Sequence, residues 1–575
     1  MVPEVTGIDK VFDYFVPESL VPRVGRGTRV RIDLNGRRVG GWVVAIGSVH
    51  ERSDLQFDVD RLAPIISVSG DGVSPDVVEL TKWMSQRWLG SWRATLSSAT
   101  APRMRSRHVN PRHGASVNVP EDAVATSAQE LLRNGGGLLV VPPTASALSA
   151  VAAIAHNGPV LVVCPTQRMA VLGAASLRRR GFTTALVPDD WDAAKAGVDI
   201  VIGARSAVLA PCADLSSIVV IDEHDELHHE ERSPTWNSVE VAQERARRAA
   251  IPCVLTSAIP SARALHTLHQ STSVVSVENA WPRIEVVNLD DVPVAGSLLS
   301  SEMLSSVSTA GVTTVCVLNT KGKARLIVCK SCRAVQACRT CTSLLTQTED
   351  GGLVCVRCNE DAGAVCITCG RTAFVVAKGG VSQLVNQVMK STRNPVIEVS
   401  SDADDSWTKG SVFIGTEAVL YRIPFADAVV FADIDRDLSV PRLTASREVL
   451  SLVARAARLV GPHGRVVLQT RQPSHPLLHA MSSLQPQNEI LQWMEKDLAQ
   501  RQLFAMPPFS FMARVSVVSP KSFDDMPELF DVDIAREEGA IIAKAVDQAA
   551  LEKSVFVLRA HYGTALRVHV DPKRY

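Results

Sequence analysis

Eight of the twelve cysteines of this 575-residue chain lie between residues 329 and 369, where they form four C-x-x-C pairs. Each pair places two thiolates on one tight turn, and two pairs together supply the four ligands of a tetrahedral zinc site. Protein thiolates would fill every position, so neither zinc would keep an open position for catalysis. Spacing alone leaves open all three ways of combining the pairs. The pairs are Cys329 with Cys332, Cys338 with Cys341, Cys355 with Cys358, and Cys366 with Cys369.

Disulfide bonds and redox chemistry are the alternatives to metal binding. Stable disulfides need an oxidising compartment, and the first residues lack the basic-then-apolar pattern of a secretory signal. A redox dithiol needs a single C-x-x-C pair on a βαβ unit. The sequence therefore favours two structural zinc ions per chain, which would supply most of the folding free energy of a small insertion. The other cysteines stand in apolar surroundings and are expected in cores: Cys164, Cys212, Cys253 and Cys316.

A second candidate site is the turn after the apolar strand predicted at Leu138–Val141. A P-loop would lie there, and it would need glycines to wrap phosphates and a lysine to reach the terminal ones. Residues 142–149 contain no glycine, and Leu148 occupies the position of the lysine. The glycines at 135–137 precede the strand. We therefore predict an ordinary strand-to-helix turn, with neither ATP nor Mg²⁺ as a cofactor.

An acidic run, residues 222–226, follows the strand predicted at Ile218–Ile221 and reads like a DExD box. Carboxylates at this position of a parallel sheet hold Mg²⁺ in NTPases. Without a P-loop lysine, we favour the alternative, a solvated acidic loop. A metal site at His224, His228 and His229 is not favoured. The residues of this degenerate nucleotide site are Thr144, Ser146, Leu148, Ser149, Asp222 and Glu223.

The elements that position these residues can be read from hydrophobic patterns. Residues 1–100 indicate a β-rich domain, in which Asn35-Gly36 joins two strands and Pro75 opens a helix. Residues 101–125 indicate a basic and polar linker.

Residues 126–290 alternate helix-like and strand-like segments, which predicts βαβ units with a parallel sheet. The five strands predicted here are Leu138–Val141, Val160–Cys164, Ile200–Ile202, Ile218–Ile221 and Val254–Thr256. A second such array covers 291–328 and 372–480, with the cysteine-rich segment 329–371 inserted in it. Residues 481–575 suggest a small α+β domain. Strands in the second array and the tail are predicted at Val315–Leu318, Phe374–Val376, Val396–Val399, Val412–Ile414, Ala428–Ala432, Val466–Gln469, Val515–Val518, Ala540–Asp547, Val555–Leu558 and Ala565–His569.

Charge and hydropathy argue against two classes of protein. The chain has 60 basic and 60 acidic side chains, which argues against a uniformly basic nucleic-acid coat protein and leaves room for local basic patches. The most apolar long stretch, 135–155, is interrupted by Pro142 and Pro143 and is too broken for a membrane span. We expect a cytoplasmic, nucleoid-associated protein without a membrane partner.

Short strings along the chain carry a family resemblance. They are Phe12-Asp13-Tyr14 with Pro17-Glu18, Gly203-Ala204-Arg205-Ser206-Ala207, Ser257-Ala258-Ile259-Pro260-Ser261, Leu318-Asn319-Thr320-Lys321-Gly322, and Ala505-Met506-Pro507-Pro508-Phe509-Ser510. With the eight cysteines, they resemble the PriA family of primosomal replication-restart proteins (primosomal protein N′) over nearly the full length.

The chain departs from this family where helicase chemistry would lie. Leu148 replaces the P-loop lysine, Ile221 falls on the first carboxylate of the family's Asp-Glu-Glu-His, and the late arginine motif falls near Arg458-Leu459-Val460-Gly461-Pro462. These losses resemble the degenerate PriA proteins of actinobacteria, which look like helicase scaffolds without helicase chemistry.

The resemblance implies an α/β fold with two RecA-like helicase lobes, an inserted zinc domain, a β-rich N-terminal DNA-binding domain and a small C-terminal domain. It also implies that the outer cysteine pairs (329/332 and 366/369) share one zinc and the inner pairs (338/341 and 355/358) the other. Phe12, Asp13 and Tyr14 would contact the 3′ end of a nascent strand. Packing in a half-buried strand is the alternative for the two aromatic residues. A family lysine of this pocket falls on Ala63.

The leading hypothesis is a protein that binds branched DNA at stalled forks and promotes reloading of the replicative helicase without helicase activity of its own. Expected partners are forks, D-loops and 3′ ends, other primosome components, the replicative helicase or its loader, and single-stranded DNA-binding protein. Arg103, Arg105 and Arg107 would contact phosphates. The alternatives are an active ATP-dependent 3′–5′ helicase and a zinc-stabilised protein-interaction scaffold.

Overall fold

A computed structural model gives the fold of the chain. It describes all residues except 9, 49–61, 71, 102–109, 111, 112, 115, 276, 278, 279, 294–296, 320–326, 333, 335, 337, 341–344, 349, 350, 356, 357, 359, 377–379, 400–407, 441, 519–521, 538 and 573–575. The chain divides into two compact units. The first unit comprises Met1–Val141, Ser146–Val275 and Leu498–Pro572, and the second comprises Pro142–Ala145, Ser276–Asp497 and Lys573–Tyr575.

The first unit begins with a four-stranded antiparallel sheet. Asn35 and Gly36 both have positive φ, as a two-residue hairpin turn requires, and they join the two central strands. Val30 and Ile32 alternate with exposed or half-buried residues and are fully buried beneath the sheet. In sheet order the strands are Val2–Pro3, Arg37–Trp42, Arg29–Leu34 and Ser67–Gly70. Helices Pro75–Arg87 and Trp92–Ser98 follow.

A seven-stranded sheet with only parallel pairings forms the first lobe. The five strands predicted here are present, each within two residues of its expected ends. The two edge strands carry three residues each, too few to give a clear pattern. In sheet order the strands are Thr272–Val274, Gly136–Val140, Cys253–Ser257, Ser217–Val220, Val160–Val163, Ile200–Gly203 and Thr184–Leu186.

Helices of this lobe connect the parallel strands. The first begins at Ala123, inside the range predicted as linker, because the Asp122 side chain accepts a hydrogen bond from the backbone N–H of Ala125 (2.8 Å) and caps it. The helices are Ala123–Arg133, Ala147–Ala155, Gln167–Arg179, Trp191–Ala196, Ser238–Ala249 and Ala262–Thr267.

The first unit also contains a four-stranded antiparallel sheet near the C-terminus, in the order Val532–Glu537, Ala540–Ala545, Phe511–Val517 and Leu566–Val570. The prediction of a strand at Val555–Leu558 is wrong, because these residues lie in helix Gln548–Tyr562. Val555 and Leu558, three residues apart, are buried, whereas Phe556 is 75% exposed. A run of four apolar residues fits a strand or a helix equally well until its neighbours are known.

Buried ionic contacts join distant segments of the first unit. The Arg87 guanidinium, on the N-terminal helix Pro75–Arg87, contacts the carboxylates of Asp571 (2.6 Å) and Glu240 (2.9 Å). Arg263 also reaches Asp571 (3.2 Å). Removing one member of such a buried set would leave an uncompensated charge, which ties these segments together energetically.

The second unit is built on a six-stranded parallel sheet. Arg283–Asn288 lies in the range predicted for the first lobe, yet it pairs with Arg465–Thr470 in this second sheet. The predicted boundary at residue 290 is therefore placed too late, since a strand pattern does not reveal which sheet the strand joins. In sheet order the strands are Arg283–Asn288, Arg465–Thr470, Ala428–Phe431, Thr314–Val317, Val412–Gly415 and Val396–Val399.

Helices on this second sheet cover a core that includes Val388, Ile414 and Val430. The helices of this part of the chain are Ser301–Ser308, Val381–Met389, Val419–Arg422, Asp435–Leu438, Ala445–Val460, Pro476–Met481 and Pro486–Leu503. None of the helices in the described parts of either unit is long and apolar enough to cross a membrane.

The cysteine-rich insertion contains two small antiparallel sheets. Phe374–Val376, predicted as a strand of the second lobe, instead pairs with Ile327–Cys329, so these two strands close the base of the insertion. The other sheet has the order Leu345–Gln347, Leu353–Cys355 and Asp361–Gly363. The buried core of the insertion is small, and two of its members are cysteines: Ile327, Cys338, Leu345, Leu353 and Cys355.

Candidate functional site

Two groups of thiols converge in the insertion. In the first group, the sulfur atoms of Cys329, Cys332, Cys366 and Cys369 all lie within 4.8 Å of one another. The Sγ atoms of Cys329 and Cys369 are 3.6 Å apart, as are those of Cys332 and Cys366. A disulfide would require about 2.05 Å, so these are separate thiols. The group joins the outer two C-x-x-C pairs, which are far apart in sequence.

The dimensions of this first group fit a tetrahedral metal ion. With metal–sulfur bonds of about 2.3 Å, as zinc makes, the edges of a sulfur tetrahedron measure about 3.8 Å. Backbone N–H groups also point at the sulfur atoms: that of Thr368 donates to Cys366 Sγ at 3.4 Å. Although burial raises the pKa of Cys366, the backbone N–H groups of Cys369 and Thr368 lower it, which favours the thiolate that a metal needs at this position.

The second group contains three described cysteines, Cys338, Cys355 and Cys358, whose sulfur atoms also lie within 4.8 Å of one another. The Sγ atoms of Cys338 and Cys358 are 3.6 Å apart. The predicted fourth ligand, Cys341, lies outside the described residues. Both groups could hold a metal ion. Among the described residues, no other cluster of three or more His, Cys, Asp or Glu side chains converges in this way.

The turn at 142–149 uses its own polar groups locally. The Ser146 hydroxyl accepts from the N–H of Leu148 (3.3 Å), and the Ser146 carbonyl accepts from the N–H of Ser149 (3.1 Å). Pro142 and Pro143 have no N–H to offer. The Thr144 hydroxyl donates to the carbonyl of Ala280 (3.0 Å). These residues do not fit a phosphate cradle, and the half-buried Leu148 brings no charge.

Three of the four carboxylates of the acidic run are buried and only Glu226 is exposed, so the prediction of a solvated loop is wrong. Asp222 is 2% exposed and Glu223 5% exposed. A Glu223 Oε1 atom accepts from the N–H of Ser261 (2.7 Å), and an Asp225 Oδ1 atom accepts from the N–H of Leu227 (2.9 Å). We call residues 222–226 the acidic turn. Its carboxylates cap neighbouring backbone segments, which a polar string in the sequence cannot reveal.

The histidines that accompany this turn point to different partners. His224 Nδ1 lies 2.6 Å from the hydroxyl of Ser257. His228 is fully buried, with Nδ1 2.7 Å from the Ser238 hydroxyl and Nε2 2.9 Å from the Ile221 carbonyl. Burial lowers the pKa of His228 despite the opposing effect of the Ile221 carbonyl, which favours the neutral ring.

In the sequence of the N-terminal segment, one acidic residue stands between two half-buried aromatic residues. Asp13 is exposed, while Phe12 and Tyr14 are half-buried. The Tyr14 hydroxyl donates to the carbonyl of Asp33 (2.8 Å), and burial raises the pKa of Tyr14. Tyr14 also packs on the core of the first sheet, although residues 12–14 belong to no strand, so the alternative of packing is confirmed for its ring and the expected strand is not. Arg103, Arg105 and Arg107 lie outside the described residues.

A buried acidic group at the end of strand Ala428–Phe431 was missed by the sequence reasoning. Burial raises the pKa of Asp435 to about 6 and that of Asp437 to about 7. Asn319 donates to Asp437 (2.9 Å) and accepts from the N–H of Glu417 (2.7 Å), so it joins the ends of three neighbouring strands. Asn319 belongs to a string that carries the family resemblance, which was the one available signal.

Comparison with known proteins agrees with this resemblance. Residues 2–101 match the family described as "3'DNA-binding domain (3'BD)" of PriA. The replication restart protein PriA of Treponema pallidum is 26% identical over 344 residues, which are 55% of this chain and 51% of that protein. PriA of Bacillus subtilis is 25% identical over 374 residues, 59% of this chain and 46% of that protein. The chain thus spans about half the length of these relatives.

A third relative, named "Probable replication restart protein PriA", comes from Mycobacterium tuberculosis and is 26% identical over 62% of this chain and 60% of that protein. A DNA-bound crystal structure of the DUF1998 helicase MrfA superposes with a TM-score of 0.34 at 11% identity, covering 77% of this chain and 66% of that chain. The sequence matches confirm the resemblance to PriA.

Proposed function

We propose that this chain is a replication-restart protein that binds branched DNA at stalled or collapsed replication forks and promotes reloading of the replicative helicase. The observation that carries this proposal is the match of residues 2–101 to the 3′-DNA-binding domain family. The relatives that share the rest of the resemblance are named as replication restart proteins.

The 3′ end of a nascent strand would be bound at Phe12, Asp13 and Tyr14. The exposed Asp13 carboxylate can accept a hydrogen bond from a terminal hydroxyl, and aromatic rings provide stacking surfaces for bases. Arg103, Arg105 and Arg107 would add contacts to phosphates, so affinity would fall as salt rises.

Two structural zinc ions per chain would hold the insertion together. Cys329, Cys332, Cys366 and Cys369 would bind one ion, and Cys338, Cys341, Cys355 and Cys358 the other. The sulfur positions of the described cysteines support this assignment. Zinc would supply structural stability here, since four thiolates leave no open position for a substrate.

The chain would bind DNA without using ATP. The turn at 142–149 supports this proposal. Pro142 and Pro143 have no N–H group, and the N–H groups of Leu148 and Ser149 already donate to Ser146. Leu148 also stands where a P-loop has its lysine. The protein partners would be other primosome components, the replicative helicase or its loader, and single-stranded DNA-binding protein.

A forked DNA with a free 3′-hydroxyl provides the test. Wild-type protein should bind it more tightly than the same fork with a 3′-phosphate, and Asp13→Asn should weaken binding to the hydroxyl end by about tenfold, the loss expected for a hydrogen bond to a charged group. Glu18→Gln, at a nearby exposed position, is the matched control. Equal affinity for forked and linear DNA would contradict the proposal.

The same protein preparation tests the two other functions. ATP hydrolysis stimulated by forked DNA and lost in Asp222→Ala would favour an active helicase. Absence of DNA binding, with retained capture of primosome proteins, would favour a zinc-stabilised interaction scaffold.

A further inference from the structure

Gln336 is a polar side chain that is completely buried in the small insertion. It lies between the first and second C-x-x-C pairs of the sequence. Burying an amide costs free energy unless its hydrogen-bonding groups find partners. In a core this small, such a residue needs a physical reason.

The amide of Gln336 has partners at both ends. Its Nε2 atom donates to Cys366 Sγ (3.3 Å) and to the carbonyl of Ala334 (2.8 Å). Its Oε1 atom accepts from the N–H of Ile367 (3.1 Å). Exchanging the amide oxygen and nitrogen would bring oxygen against the Ala334 carbonyl and N–H against N–H at Ile367, so the contacts fix the orientation.

These contacts bridge two C-x-x-C turns that are distant in sequence. The Gln336 N–H donates to the carbonyl of Ile327 (2.9 Å), and the Cys329 N–H donates to the carbonyl of Ala334 (3.0 Å). The backbone of Gln336 is thereby attached to the strand that carries Cys329. Its side chain reaches the other turn, at Cys366 and Ile367.

We propose that Gln336 is a positioning residue for the metal ion of the first group, Cys329, Cys332, Cys366 and Cys369. Its N–H holds the Cys366 sulfur in place and offsets part of the negative charge that four thiolates bring to one divalent ion. The inference rests on the proposed zinc site. The described contacts of Gln336 include no sulfur atom of the second group, Cys338, Cys355 and Cys358, so its effect is confined to one site.

Zinc release from the full chain tests this role. Gln336→Met keeps a similar volume and removes the donor to sulfur. A chelator titration should show one zinc bound about 10- to 100-fold more weakly, the usual cost of losing an outer partner of a metal ligand, and the other unchanged. Gln347→Met, at an exposed position of strand Leu345–Gln347, is the matched control and should release both ions like the wild type.

Cadmium-113 NMR supplies a readout that loss of packing alone would not produce. Wild-type protein loaded with cadmium should give two resonances, and Gln336→Met should shift one of them while the other stays in place. Unchanged affinity, an unshifted resonance or equal weakening of both sites would overturn the role of Gln336. A wild-type chain without bound zinc would instead contradict the zinc site itself, so the two failures are distinguishable.

Discussion

The cysteine-rich insertion and the acidic turn both place ligand-type side chains close together, but the contacts of those side chains differ. In the insertion, the sulfur atoms lie 3.6 Å from one another, and backbone N–H groups converge on them from outside. In the acidic turn, Glu223 and Asp225 accept hydrogen bonds from separate backbone segments, and no cluster of three or more ligand atoms converges among the described residues. A string of suitable residues becomes a binding site when its ligand atoms face a common point, and otherwise it stabilises the fold.

Among the variants that test this comparison, loss of a sulfur ligand should have the largest effect, and the quantity affected is the bound zinc. Cys366→Ser should reduce the bound zinc from two ions to one, because the hydroxyl replaces a thiolate on which four-coordination depends. The corresponding loss of binding free energy is on the order of 10 kcal/mol. Metal analysis of purified protein measures this. The control Cys212→Ala, outside the insertion, should keep both ions. If Cys366→Ser also keeps two zinc ions, the thiols of the insertion are not the metal ligands that distinguish it from the acidic turn.

Removing a capping carboxylate of the acidic turn should affect stability and leave DNA binding intact. Glu223→Ala leaves the N–H of Ser261 without this acceptor in a partly buried place, which should cost about 1–3 kcal/mol in the free energy of unfolding. Chemical denaturation gives the value. Glu226→Ala, on the exposed side of the same turn, should change it by less than about 0.5 kcal/mol. A Glu223→Ala protein as stable as the wild type would show that this capping contact contributes little to the stability of the fold.

His228, beside the acidic turn, should make stability fall at acidic pH. Its pKa is lowered in the folded state, so the unfolded chain takes up the proton first, and stability declines as pH drops through about 6.5. The slope from one such group is at most about 1.4 kcal/mol per pH unit. Denaturation at pH values from 7 to 5 should give a flatter profile for His228→Asn. The exposed His463 offers a control, since His463→Asn should follow the wild-type profile.

The smallest effect is expected from restoring a lysine to the turn at 142–149. Leu148→Lys should leave ATP hydrolysis at background with forked DNA, because Pro142 and Pro143 still lack N–H groups and Ser146 still caps the helix. A coupled ATPase assay measures this. If Leu148→Lys hydrolyses ATP, this turn needs only one substitution to become a working phosphate site. The turn would then differ less from the metal-binding insertion than we infer.

Much of the fold could be predicted because strand patterns are local. The buried strands of both parallel sheets are continuous apolar runs between turn residues, so Val160–Val163 and Val412–Gly415 were found within a residue of their ends. Pairing between strands depends on distant segments. Arg283–Asn288 was therefore predicted in the first lobe, although it belongs to the sheet of the second. Phe374–Val376 was predicted in the second lobe, although it pairs with a strand of the insertion.

The sequence by itself determined which residues of the insertion could bind metal, because two cysteines separated by two residues can place both thiols on one tight turn. It also led to the prediction that a P-loop is absent, since a P-loop depends on glycines and a lysine within eight positions. The grouping of the outer cysteine pairs, the burial of the acidic turn and the bridge made by Gln336 were decided by the tertiary structure. Each of these depends on partners that lie tens of residues away along the chain, and no local spacing encodes them.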